Sequence, residues 1–186
     1  MANSAPRSSN LYLILPLFVL ALIVGIACLF LFSGKYAVYQ NEEFHFSIKY
    51  PKSWKVIENP NAPQPGPVVA FLSPKESAMD TFQENVNIVV QDLGEKPPTL
   101  DQYVAKALDQ LTGTFNDIEV SENVPVTVGD LHGRKIVYAG KEKSPLKFMT
   151  VIFVEDDMVL SIYYTADAAK FDQSRGEVEA MVGSLR

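Results

Sequence analysis

The spacing of apolar positions changes period several times along this chain. From Leu11 to Phe32 the run LYLILPLFVLALIVGIACLFLF carries no charge over 22 residues. As a helix it would reach roughly 33 Å, at about 1.5 Å per residue, which matches the hydrocarbon core of a bilayer. The run therefore predicts one N-terminal transmembrane helix, with 1–10 as a short tail and 33–43 as a linker. Beyond it, Phe44, Phe46, Ile48 and Tyr50 alternate with His45, Ser47 and Lys49. Period two marks a strand with one buried face, and Pro51 ends it. A second extended piece starts at Trp54. Asn59 to Pro67 (NPNAPQPGP) reads as an exposed loop; its PxxP-like spacing is better explained by turn chemistry than by an SH3-type partner.

Val68 to Leu72 and Val86 to Val90 predict two further strands, separated by a polar stretch, Glu76 to Glu84, with a turn of helix. Leu100, Tyr103, Val104, Ala107, Leu108 and Leu111 then recur at three and four, the stripe of an amphipathic helix. Thr99 and Gln102 form a capping box at its start, and Gly113 stands where it should stop. Period two returns in Ile118 to Val128, Arg134 to Tyr138, Lys147 to Val154 and Met158 to Thr165. Glu155-Asp156-Asp157 makes a tight hairpin between the last two. Met149 to Val154 is apolar on both faces, as in a strand covered on each side. Asp167 is expected to cap a second helix running toward Leu185, with Phe171, Val178, Met181, Val182 and Leu185 on one face and Gly176 as its weak point. The order predicts an α+β domain over 44–186, one antiparallel β-sheet flanked by helices.

Composition changes the picture in three ways. All 22 acidic residues but only 15 of the 16 basic ones lie in 35–186, a formal charge of −7 there and −6 for the chain. An acidic domain without a Lys/Arg cluster argues against nucleic acid and against an anionic membrane surface as partners. The single cysteine, Cys28, lies inside the apolar run, so the domain has no disulfide. Arg7 and the α-amino group precede the run, and Lys35 and the Glu42-Glu43 pair follow it. This bias favours a cytoplasmic N-terminus and an extracytoplasmic domain, with Leu11–Phe32 retained in the lipid bilayer as a signal anchor. Cleavage after Gly25-Ile26-Ala27, leaving a secreted or Cys28-lipidated protein, is the alternative, although Leu29-Phe30-Leu31-Phe32 prolong the apolar stretch past that point.

The segment Phe46-Ser-Ile-Lys-Tyr-Pro-Lys-Ser-Trp54 resembles the opening signature of the PsbP family and its bacterial relatives, Phe-x-Ile-x-Tyr-Pro-x-x-Trp. The later layout is similar too, with the helix at Leu100 to Leu111, paired strands, and a helix ending near Gly183-Ser184-Leu185. The resemblance covers 44–186 and implies the Mog1/PsbP-like α/β/α sandwich. It also implies, for the family's lumenal members, an extrinsic photosystem II subunit that helps retain calcium and chloride. The residues of the motif have a structural reading of their own: Phe46, Ile48 and Tyr50 pack the core face, and Trp54 covers the strand's end.

Chemistry is sparse. The only cysteine is in the apolar run, and no G-x-S-x-G elbow or P-loop is present. His45 should face outward from its strand, and His132 should sit in a turn, Gly129-Asp-Leu-His-Gly133. Asp130 with His132, and Asp156 with Asp157, are the candidate metal ligands. They lack EF-hand spacing, and acidic residues in turns commonly serve turn geometry. Tyr138, Phe153, Tyr163 and Tyr164 lie on neighbouring strands, where some can line a groove. The sequence thus predicts a non-enzymatic, membrane-anchored domain that binds or scaffolds a membrane or envelope protein and needs no cofactor. An accessory photosystem subunit using calcium is the second expectation, and an enzyme or small-ligand protein with an unrecognised site the third.

Overall fold

The computed structural model describes residues 34–58, 66–80, 82–114, 117–140 and 145–186. The Leu11–Phe32 run therefore lies outside the described residues, as do 59–65. Among the described residues no helix is long and apolar enough to cross a membrane. The chain divides into Met1–Tyr36 and Ala37–Arg186, and the fold below is that of the second unit.

Two short strands, β1 (Tyr36–Asn41) and β2 (Phe46–Pro51), pair as a small sheet. β1 occupies the stretch expected to be linker. Its Tyr39 is 9% exposed and packs on Phe46 and Phe71, so the fold begins earlier than 44. The main sheet has seven antiparallel strands in the order β3-β4-β5-β9-β8-β7-β6. Its members are β3 (Lys55–Glu58), β4 (Pro67–Leu72), β5 (Asn85–Asp92), β6 (Ile118–Val128), β7 (Leu131–Gly140), β8 (Leu146–Glu155) and β9 (Met158–Asp167). Strands β6 to β9 form an antiparallel meander. β5 then pairs with β9, Val86 opposite Tyr164 and Val90 opposite Leu160, which places the longest apolar strands in the middle.

Side-chain alternation gives the sheet two unlike faces. On one, Val86, Ile88, Val137, Met149, Val151, Phe153, Ile162 and Tyr164 join the larger core. That face is covered by β1–β2 and by α2 (Phe171–Val182), whose Phe171, Val178, Met181 and Val182 are buried. On the other face α1 (Leu100–Thr114) seats Val104 on Ile136, Ile152 and Val159. Helices on both faces make the layered α+β arrangement that the element order predicted.

Local chemistry explains the boundaries. Thr99 N–H donates to Gln102 Oε1 at 3.0 Å and Gln102 N–H to Thr99 Oγ1 at 3.3 Å, the reciprocal capping box. α1 does not stop at Gly113 but runs to Thr114. Among the described residues of Glu76 to Glu84 there is one hydrogen-bonded turn, Asp80 N–H donating to the Ser77 carbonyl at 3.2 Å, and no helix. Asp167 ends β9 instead of capping α2. Its carboxylate accepts from Ala169 N–H and its carbonyl from Lys170 N–H, both at 2.9 Å, and Lys170 takes the N-cap position. Leu185 lies past the helix yet is 2% exposed, because Arg186 and Ser47 exchange backbone hydrogen bonds and draw the chain's last residues onto β2. The motif residues pack as read: Phe46, Ile48 and Trp54 are buried and Tyr50 lies 5.0 Å from Phe71.

Candidate functional site

A concave surface lies beside α1. Val104 is the one buried residue of that helix, so its second half stands over the sheet without closing on it. The space between is a cleft of about 300 Å³. Tyr103, Leu108 and Leu111 form its helical wall, and Tyr138, Thr150 and Tyr163 its sheet wall, with Ile136 and Ile152 below. Register explains the grouping: Thr150 of β8 stands between Ile136 of β7 and Tyr163 of β9. Tyr138 is held flat by Phe148, ring centroids 5.1 Å apart and planes 15° from parallel.

Three phenols therefore face one space. Tyr103 donates its hydroxyl to Gln91 Oε1 at 3.4 Å. Burial pushes the Tyr103 hydroxyl above the ordinary tyrosine range, with Tyr163 adding to the effect and Ser161 opposing it. Burial likewise raises Tyr138, a hydrogen bond from the Thr150 side chain opposes the shift, and Tyr163 adds to it. No charged side chain lines the cleft among the described residues. Its chemistry is that of neutral ring faces and hydroxyl donors over an apolar floor, the composition of a recognition surface. A nucleophile paired with a base is absent from this lining.

Of the four aromatic residues singled out in the sequence, Tyr138 and Tyr163 line this cleft. Tyr164 and Phe153 point to the opposite face, each 1% exposed. Tyr164 donates its hydroxyl to the Phe171 carbonyl at 2.9 Å, locking β9 to the start of α2. Tyr103 was legible only as part of the helical stripe, and Thr150 gave no signal, since only strand register places it between the tyrosines.

The candidate metal ligands lie in or beside hairpin turns. Asp130 follows Gly129 (φ +59) in the β6–β7 turn, and Asp156 (φ +50) and Asp157 make the β8–β9 turn. His132 is exposed on β7 and not in the turn, because the hairpin closes on Gly129 and Asp130 alone and Thr127 already pairs with His132 across the ladder, its Oγ1 3.4 Å from the ring. His45 is exposed in the β1–β2 turn, not on the strand. Among the described residues no three His, Cys, Asp or Glu side chains are grouped to hold a metal ion.

The tyrosines give a pH prediction. Tyr103, Tyr138 and Tyr164 all have hydroxyls held above the ordinary value near 10, burial being the largest cause in each. A raised pKa means the native state keeps protons that the unfolded chain gives up. The stability is complete below about pH 10 and is lost as pH rises through the native values. Urea midpoints measured from pH 8 to 11.5 should be flat and then fall, and Tyr138→Phe should make the fall shallower. A midpoint that rises above pH 10 contradicts this.

No protein-family model and no curated protein matches this sequence. Solved structures do. Cyanobacterial PsbP (CyanoP) from Synechocystis sp. PCC 6803 superposes with a TM-score of 0.61 at 11% identity, over 82% of this chain and 92% of its own. The chain has the Mog1/PsbP-like fold. LpqN of Mycobacterium tuberculosis, described as involved in cell envelope biogenesis, gives 0.57 at 9% identity over 81% of this chain and 88% of its own. The Ran-binding protein Mog1p of Saccharomyces cerevisiae gives 0.51 at 10% identity, over 81% and 94%. At these identities the likeness is one of fold.

Proposed function

We propose that the chain is a non-enzymatic binding module, held at a membrane by Leu11–Phe32 with its domain outside the cytoplasm, which engages a protein partner through the cleft beside α1. The observation that carries the reading is that cleft: concave, lined by Tyr103, Tyr138 and Tyr163, and without charge. Tyrosine suits protein recognition because it presents a large rigid face and a hydroxyl at low entropic cost. The comparison with Mog1p, a Ran-binding protein, supports a protein as the partner class. The uninterrupted apolar run supports the anchor.

The test is site-specific photo-crosslinking in the full chain in its native membrane. A crosslinker at Gln110, on the cleft's rim, should give one adduct of defined mass, and one at Asp109, exposed on the side of the helix away from its apolar stripe, should not. The chain should also resist alkaline extraction from membranes and be released when 11–32 is deleted. Extraction of the intact chain would remove the anchor from this reading. Turnover of a small substrate abolished by Tyr163→Ala, with no adduct formed, would replace binding by catalysis.

A further inference from the structure

On the opposite face of the sheet from α1, at the end where the β1–β2, β6–β7 and β8–β9 turns gather, an apolar cavity of about 230 Å³ opens to solvent. Its floor is core: Val90, Phe153 and Leu185 are 4%, 1% and 2% exposed. Its mouth is not. Glu155 and Arg186 stand on it, and Glu42, Glu43, Asp130, Asp156 and Asp157 each lie within two positions of a lining residue. Among the described residues Arg186 is the one Lys or Arg that lines it.

Some of the domain's carboxylates are held in ion pairs. Glu122 and Glu179 are bridged by Lys135 and Arg175, Asp101 by Arg134, and Glu76 and Asp80 by Lys170. Among the described residues neither Glu155 nor the five acids beside the lining is in an ion pair, a state they share with acids elsewhere such as Glu58, Asp92 and Glu95. What is particular to this end is that six of them, all exposed, gather in its turns. The rim is also the place of the two described non-glycine residues with left-handed backbone, His45 at φ +52 and Asp156 at φ +50. Such residues cost conformational energy and persist where surrounding structure holds them. Here the Asn41 side chain accepts from Phe44 N–H at 2.9 Å, and Leu93 N–H donates to the Asp157 carbonyl at 2.6 Å, so both turns are tied down.

A fixed apolar hole with Glu155 on its rim and five more exposed acids in the turns beside it has a definite complement. We infer that this end of the domain is a second docking surface, for a protein segment that inserts one or two large apolar side chains and flanks them with Lys or Arg. The volume suits this: engineered cavities of about 150 Å³ take up benzene, and drug-sized ligands fill about 300 Å³ or more. The basic flanks neutralise the ring and set orientation and on-rate, while the apolar anchors supply residence. This surface lies apart from the tyrosine cleft, and its test does not depend on that cleft.

The experiment uses the full chain in phosphatidylcholine nanodiscs and a fluorescein-labelled, end-blocked peptide, Lys-Lys-Leu-Phe-Lys-Lys, followed by anisotropy. Saturable binding is expected. It should weaken about tenfold when Glu43→Gln, Glu155→Gln and Asp157→Asn are combined, and by a similar factor for Lys-Lys-Ala-Ala-Lys-Lys. All three substituted acids are exposed, so folding is retained, and an unchanged melting temperature verifies it. Tyr163→Ala should leave the peptide's affinity unchanged, which separates this site from the cleft. Equal binding of the alanine peptide, indifference to the triple neutralisation, or a lipid filling the cavity in the purified protein would each overturn the inference.

Discussion

Phe71→Ala is expected to lower the unfolding free energy by about 3–5 kcal/mol, a large share of the roughly 5–15 kcal/mol that holds a domain together. Phe71 is fully buried in β4, and three aromatic rings meet there. Tyr39 of β1 approaches edge-on at 5.9 Å and 85°, and Tyr50 of β2 lies 5.0 Å away. Phe71 is therefore a central contact between the two-stranded sheet and the seven-stranded one, beside the burial of Phe46 and Ile48. Truncation leaves a cavity between two layers that share no backbone hydrogen bonds, so the gap has little means of closing. Guanidinium unfolding should show the lowered midpoint. Native-state hydrogen exchange should show β1 and β2 losing protection before β8 and β9. A loss below about 1 kcal/mol would mean that the small sheet is held some other way.

Gly133→Ala should cost about 2–3 kcal/mol, although it adds one methyl group. A Cβ at Gly133 would stand 2.6 Å from the Ile152 carbonyl oxygen and 2.7 Å from Cδ1 of Phe153. The ring can turn in part, but the carbonyl belongs to β8 in the middle of the sheet and cannot move without disturbing its ladder. Gly176→Ala is the contrast. It lies inside α2 with open space around its position, so alanine should gain about 0.5–1 kcal/mol there. Thermal unfolding of the two variants should move in opposite directions. Parallel shifts would show that backbone entropy, not the contact with Phe153, decides both.

These two glycines show what the sequence could and could not disclose. Gly176 is a helix residue by periodicity and is one in the structure. Gly133 reads as the end of a turn beside Gly129, yet it lies inside β7, because its function is fixed by Phe153 twenty positions away. The long apolar strands β8 and β9 and the capping box of α1 were legible because local pattern determines them. β1 was not, since YAVYQN follows an apolar run and its burial depends on Phe71 and Phe46. Asp167 looked like a cap because Asp before a helix usually is one; the tight turn after β9 uses its carboxylate instead.

The same division holds for the cleft. Tyr138 and Tyr163 are legible in the sequence as strand aromatics, but alternation alone does not say which of Tyr163 and Tyr164 turns inward. The register of β8 against β9 decides it, placing Tyr164 opposite Met149 in the core and Tyr163 opposite Thr150 under α1. Tyr103 joins them only when the helix is laid on the sheet.

The central claim is that this cleft binds a protein, and its most direct test is the crosslink from Gln110 repeated in variants of its lining. Tyr138→Ala and Tyr163→Ala, both in the cleft and both leaving Val104 seated on the sheet, should abolish the Gln110 adduct. The crosslinked species formed with the unaltered chain should contain one other protein. An adduct of undiminished yield from both variants, in chains that melt at the temperature of the parent, would contradict the account.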